Sequence, residues 1–188
     1  MLSEGDRKTL LCIARETIKA AVTGLAAPKV TAESEALQAP CGAFVTMKNR
    51  GRLRGCIGTF VARDPLHQTV CKMAEQAVTQ DWRFASDPVT AGELDRIDIE
   101  ISVLSPLEKV DDPLADIELG RHGIYVQGPY GSGCFLPQVA TETGWSKEEF
   151  LSHCCAGKAG LPPDAWKSPD VVVSRFEAEV FGEMEEAD

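Results

Sequence analysis

The stretch Ile97-Asp98-Ile99-Glu100-Ile101-Ser102-Val103-Leu104 constrains the fold most. Its isoleucines and Val103 recur with period two against Asp98, Glu100 and Ser102, the pattern of a strand with one face in a core. Such a strand needs neighbours, and a hairpin upstream supplies them. Residues 43–48 read as a strand, Asn49-Arg50-Gly51 as a turn, and the chain from Arg52 as the returning strand.

Helices fall before and between these strands. Ser3 caps a helix over 3–22, with Asp6 at the third position and Leu11, Ala14, Ile18 and Ala21 on one stripe. Residues 23–40 read as a connection. Asp64 as cap and Pro65 at the first helical position open a second helix carrying Leu66, Val70, Met73 and Ala77. That helix either only packs or brings an anion-favouring N-terminus near the preceding glycines. Residues 137–142 form another helix, ended by Gly144. Ser146-Lys147-Glu148-Glu149 is a capping box, with Trp145 and Phe150 as its staple, for a helix to about residue 156. Residues 171–181 read as one last buried strand. Hairpins with interspersed helices give an α+β class, an antiparallel sheet with helices packed on it.

The returning strand, Arg52-Leu53-Arg54-Gly55-Cys56-Ile57-Gly58, concentrates the chemistry. Strand glycines mark a bulge or the close approach of a ligand or second backbone. With period two, Arg52, Arg54 and Cys56 share a face, and a thiol beside cations gains nucleophilic thiolate character. The plain alternative is a packed cysteine, a common fate of this residue type. Glu100 serves either as general acid or base in a cleft or as a solvated group paired with Arg52 or Arg54. His122, between Gly120-Arg121 and Gly123, suits proton transfer near neutrality, although most loop histidines do no chemistry. Asp81 and Arg83, two apart, either clamp a loop or touch a ligand.

Leu53-Arg54-Gly55-Cys56-Ile57-Gly58 also resembles the hallmark of the AMME chromosomal region candidate protein family, whose prokaryotic members are called AmmeMemoRadiSam system protein A. Further resemblances are Gly42-Ala43-Phe44-Val45-Thr46, Asp81-Trp82-Arg83-Phe84 and Glu100-Ile101-Ser102-Val103-Leu104-Ser105. Gly120-Arg121-His122-Gly123, Leu136-Pro137-Gln138-Val139-Ala140 and Lys158-Ala159-Gly160-Leu161 complete an ordered set along the chain. The resemblance implies one family domain over 1–188, in two unequal lobes with a cleft at the hallmark. It also implies company, a Memo-like protein and a radical SAM protein, while leaving the reaction unestablished.

Two readings follow. In the first, an enzyme uses Cys56 as nucleophile and Glu100 or His122 to move protons. Arg54, Gly55, Gly58 and Arg83 then hold a small anionic substrate. In the second, the chain is a binding or assembly module for protein partners. No cofactor is assigned.

The bulk properties narrow the classes. A net charge of -10 and a pI near 4.8 argue against nonspecific nucleic-acid binding. Arg50, Arg52 and Arg54 form a small basic patch, usually solvated surface. Glu177, Glu179, Glu183, Glu185, Glu186 and Asp188 follow the last cation, Arg175, and read as a solubilising tail. No apolar run matches a membrane span and no signal-peptide pattern opens the chain, so a cytoplasmic location is expected. The seven cysteines are odd in number and include no Cys-x-x-Cys pair, and the three histidines are scattered. Neither pattern calls for a disulfide framework or a metal centre.

Overall fold

The computed structural model describes residues 2–60 and 63–183. In chain order come α1 (Glu4–Thr23), α2 (Glu35–Gln38), β1 (Ala43–Asn49), β2 (Arg52–Thr59), α3 (Leu66–Thr79), β3 (Ile97–Leu104) and β4 (Glu108–Lys109). Then follow α4 (Pro113–Asp116), β5 (Gly123–Gln127), β6 (Ser132–Phe135), α5 (Pro137–Thr143), α6 (Lys147–Cys154), β7 (Val172–Phe176) and β8 (Ala178–Gly182). Two compact units result, residues 1–104 with 179–188, and residues 105–178. The class is α+β, with two four-stranded sheets where the sequence suggested one.

The first unit has the sheet order β2-β1-β3-β8, so β1 is internal and β2 lies at an edge. The Ser3 hydroxyl accepts the Asp6 N–H at 3.1 Å and Asp6 answers at the Ser3 N–H, fixing where α1 begins. Gly24, at φ 71°, ends it. Leu10, Ala14 and Ile18 of α1 meet Val70 and Ala74 of α3 over Val45, Met47, Ile99 and Ile101 of the sheet. Burying each larger aliphatic side chain is worth about 1.5–3 kcal/mol, so this shared layer holds the unit together.

The second unit has the order β4-β7-β5-β6. Ile124, Val126 and Val173 face Phe150 and Leu151 of α6, together with Trp166. The Ser146–Glu149 capping box starts α6. Trp145 and Phe150 both reach the Phe135 ring, at 5.8 and 5.4 Å between centroids. Cys155–Ala159 continues α6 as one π turn, which Gly160 closes at φ 66°.

Long-range bonds overturn several local expectations. Pro65 is the N-cap of α3, with ψ 142°, and makes no side-chain cap. The Leu66 N–H donates instead to the Ala39 carbonyl at 3.0 Å, while the Asp64 carboxylate pairs with Lys72. The chain after Val171 is two strands in two sheets, β7 and β8. Glu179 and Glu183 are no solvated tail: they pair with Arg7 and Arg15 of α1. Glu177 pairs with Arg121. Glu185, Glu186 and Asp188 lie outside the described residues.

Candidate functional site

The position of Cys56 depends on one extra residue. The β1–β2 hairpin pairs Asn49 with Arg52 and Lys48 with Leu53, but then Met47 with Gly55 and Thr46 with Cys56. Arg54 is the unpaired residue of a bulge. An unbroken ladder would set Cys56 opposite Val45, a core residue with no exposed surface. The bulge sets it opposite Thr46, whose Oγ1 donates to Sγ at 3.2 Å. It also ends the alternation that would have placed Arg54 and Cys56 on one face.

On its other side Thr46 pairs with Glu100, so Cys56, Thr46 and Glu100 form one row across three strands. Two strand spacings, about 9.6 Å, separate the outer backbones. Glu100 is therefore within reach of a molecule lying on the row but does not bond the sulfur directly. Its carboxylate accepts from Lys48 Nζ at 3.0 Å, rather than from Arg52 or Arg54 as expected. Cys56 itself is partly exposed.

Asp81 and Arg83 grip the outer edge of β2 at the same residue. Asp81 Oδ2 accepts the Cys56 N–H at 2.9 Å, and Arg83 Nη2 donates to the Cys56 carbonyl at 3.1 Å. The two side chains bond each other at 2.8 and 2.6 Å, so an ion pair does the work of a neighbouring strand. Burial pushes the Asp81 carboxyl up, but the Arg83 and Cys56 hydrogen bonds outweigh it and hold it below the usual carboxylate value. Arg83 thus clamps the edge of β2 through the Cys56 carbonyl and Asp81.

Arg54 is occupied elsewhere. Its guanidinium bonds Glu93 through Nε and Nη2, Asp87 through Nη1, and the Pro88 carbonyl. Burial works to raise Glu93, yet the Thr90 N–H, Arg54 and Asn49 bring it down to about 2. A substrate anion would have to displace two carboxylates from Arg54, which removes it from the substrate-binding set. The glycines do not hold space open either. A Cβ at Gly55 would lie 2.5 Å from the Ala77 carbonyl oxygen and 2.6 Å from the Met47 methyl. At Gly58 it would strike the Phe44 ring at 2.2 Å. The protein's own atoms fill both places, and Gly55 faces the C-terminal turn of α3 rather than its N-terminus.

His122 belongs to the second unit. Its Nδ1 accepts the Glu118 N–H at 3.0 Å while the His122 backbone N–H donates to the Glu118 carbonyl, closing a turn. Burial, then Arg175 and Arg121, lowers its pKa below the ordinary histidine value. The neutral ring carries its proton on Nε2, 3.8 Å from Glu177 Oε1.

The family model for AMMECR1 matches residues 11–181. The chain belongs to the AMMECR1 family. A Methanothermobacter thermautotrophicus protein is 41% identical over 97% of this chain and 96% of its own length. The protein MK0488 of Methanopyrus kandleri is 48% identical over 77% of this chain and 72% of its own. A crystal structure of the uncharacterized protein PH0010 from Pyrococcus horikoshii superposes with TM-score 0.83 at 38% identity, covering 93% of this chain and 89% of that one.

Two residues of this AMMECR1-family protein's row were not singled out by the sequence: Thr46, which bonds Cys56, and Lys48, which bonds Glu100. Thr46 was readable only with the bulge known. Among the described residues, no helix is long and apolar enough to cross a membrane.

Proposed function

We propose that this AMMECR1-family protein is a thiol enzyme in which Cys56 Sγ attacks a small anionic substrate. The Thr46 hydroxyl donating to that sulfur carries the reading, because it fixes the orientation of a partly exposed thiol on the row it shares with Glu100. Glu100, tethered by Lys48, moves protons on the bound substrate, and Lys48 and Arg83 supply positive charge. Resemblance supports a cytoplasmic pathway shared with Memo-like and radical SAM proteins.

One observation favours the second reading, a module that docks protein partners. Trp82, between the two clamp residues, is 82% exposed. Exposed tryptophans of this kind anchor interfaces.

Alkylation with iodoacetamide, mapped by peptide mass spectrometry, tests the enzyme reading. Cys56 is expected to react faster than exposed Cys12, and Thr46→Val to slow Cys56 alone. Equal rates at both cysteines, unaffected by Thr46→Val, overturn it in favour of docking.

A further inference from the structure

Beside the hairpin turn of the first unit lies a cleft of about 360 Å³, lined by Asn49, Arg50, Arg52, Arg54, Asp87 and Glu93. Cys56 is not among its lining residues. Three guanidiniums meet two carboxylates here, and the pairing between them is uneven. Arg54, buried, takes both Glu93 and Asp87. Arg50 and Arg52 are exposed, and neither makes an ion pair or side-chain hydrogen bond to the described residues. Arg54 is therefore fully engaged, its group of one guanidinium and two carboxylates carrying one net negative charge, while Arg50 and Arg52 add two unmatched cations and leave the lining as a whole at +1.

The turn supports a purpose for these two cations. Arg50 has φ 51° and is the one non-glycine residue with positive φ among the described residues. In a two-residue hairpin turn this place suits asparagine or glycine. An arginine there accepts backbone strain, and it lines the same cleft as Arg52, two residues on. Guanidinium forks bind phosphate and carboxylate oxygens in pairs, with a geometry lysine lacks.

We propose that this cleft binds a small molecule through an oxyanion, phosphate or carboxylate, held by Arg50 and Arg52 above the Arg54–Glu93–Asp87 floor. A volume of this size takes a metabolite-sized ligand. The net charge of -10 disfavours a polyanion such as nucleic acid, whereas a compact anion feels mainly the local charge within a Debye length of about 8 Å. The site does not depend on Cys56 chemistry.

Isothermal titration calorimetry of the full chain with pyrophosphate and with malonate, at low ionic strength, tests this. Saturable binding of at least one is expected, and the stronger ligand identifies the oxyanion class. Arg50→Asn, which suits the turn, and Arg52→Gln should each weaken binding about tenfold. Cys56→Ala and the distant surface change Lys29→Gln should leave it unchanged. Absence of saturable heat, or native affinity retained in both Arg50→Asn and Arg52→Gln, overturns the proposal. So does tighter binding of a single-stranded oligonucleotide than of either small anion. Because Cys56→Ala is read separately, an inert thiol would leave this result standing.

Discussion

Thr46 Oγ1 lies 3.2 Å from Cys56 Sγ because Arg54 is looped out of the β1–β2 ladder. A one-residue shift in pairing changes the face of every following side chain, so the bulge decides whether the thiol enters the core or leaves it. The bulged residue is itself held by Glu93 and Asp87. The placing of Cys56 thus rests on an ion cluster that contains no part of the thiol row.

That cluster makes stability depend on acid. Glu93 is held at about 2 against an ordinary 4.5, so its contribution is complete above about 4.5 and is lost as the pH falls toward 2. The shift corresponds to about 3 kcal/mol at most. Urea midpoints followed by circular dichroism should drop over this range in the native protein and change less in Glu93→Gln. Arg54→Leu should cost about 3 kcal/mol at neutral pH, because it strands a largely buried carboxylate.

The edge clamp is tested at a single amide. With the Asp81 side chain 2% exposed and bonded to the Cys56 N–H, that amide should rank among the better protected in β2 despite its edge position. Asp81→Asn discards the charge that holds Arg83. Hydrogen exchange at Cys56 should then quicken at least tenfold, a loss of about 1.4 kcal/mol locally. Unchanged exchange would show that the clamp adds nothing to the edge.

The two glycines should respond differently to alanine. At Gly58 the obstacle is the Phe44 ring, a side chain able to turn aside, whereas at Gly55 it includes the backbone carbonyl of Ala77. Overpacking costs about 1–3 kcal/mol, and Gly55→Ala is expected at or above the top of that range with Gly58→Ala below it. Phe44→Ala should rescue Gly58→Ala in a double-mutant cycle and do nothing for Gly55→Ala.

Local signals were readable where neighbours in sequence satisfy each other. Ser3 with Asp6, Ser146 with Glu149, the turn at Arg50-Gly51 and the isoleucine row of β3 all appear as the pattern implies. The bulge was not readable, because the groups that hold Arg54 lie 33 and 39 residues away. Asp64 lost its capping role for the same kind of reason: the Leu66 N–H found Ala39, and no local rule announces that partner. Of the alternatives the glycines leave open, Gly55 takes the bulge and the close second backbone, at Ala77, while Phe44 fills the place at Gly58; a vacant Cβ position looks the same in sequence whichever neighbour fills it. Glu179 and Glu183 looked like tail residues until α1 brought Arg7 and Arg15 to them.

His122 yields the remaining prediction, which concerns the second unit. Nδ1 is an acceptor for the Glu118 N–H, so protonating that nitrogen breaks the bond closing the turn. Burial lowers the His122 pKa from 6.5, Arg175 and Arg121 add to the lowering, and Glu177 and Glu118 oppose it. The folded state therefore prefers the neutral ring: its contribution is intact above pH 6.5 and declines as the pH falls through and below that value. Nitrogen-15 chemical shifts should report the Nε2–H tautomer at neutral pH and a midpoint below 6.5. His122→Gln should remove this part of the pH dependence while leaving the Glu93 transition at lower pH in place. A midpoint above 6.5 would instead mean that Glu177 dominates the ring.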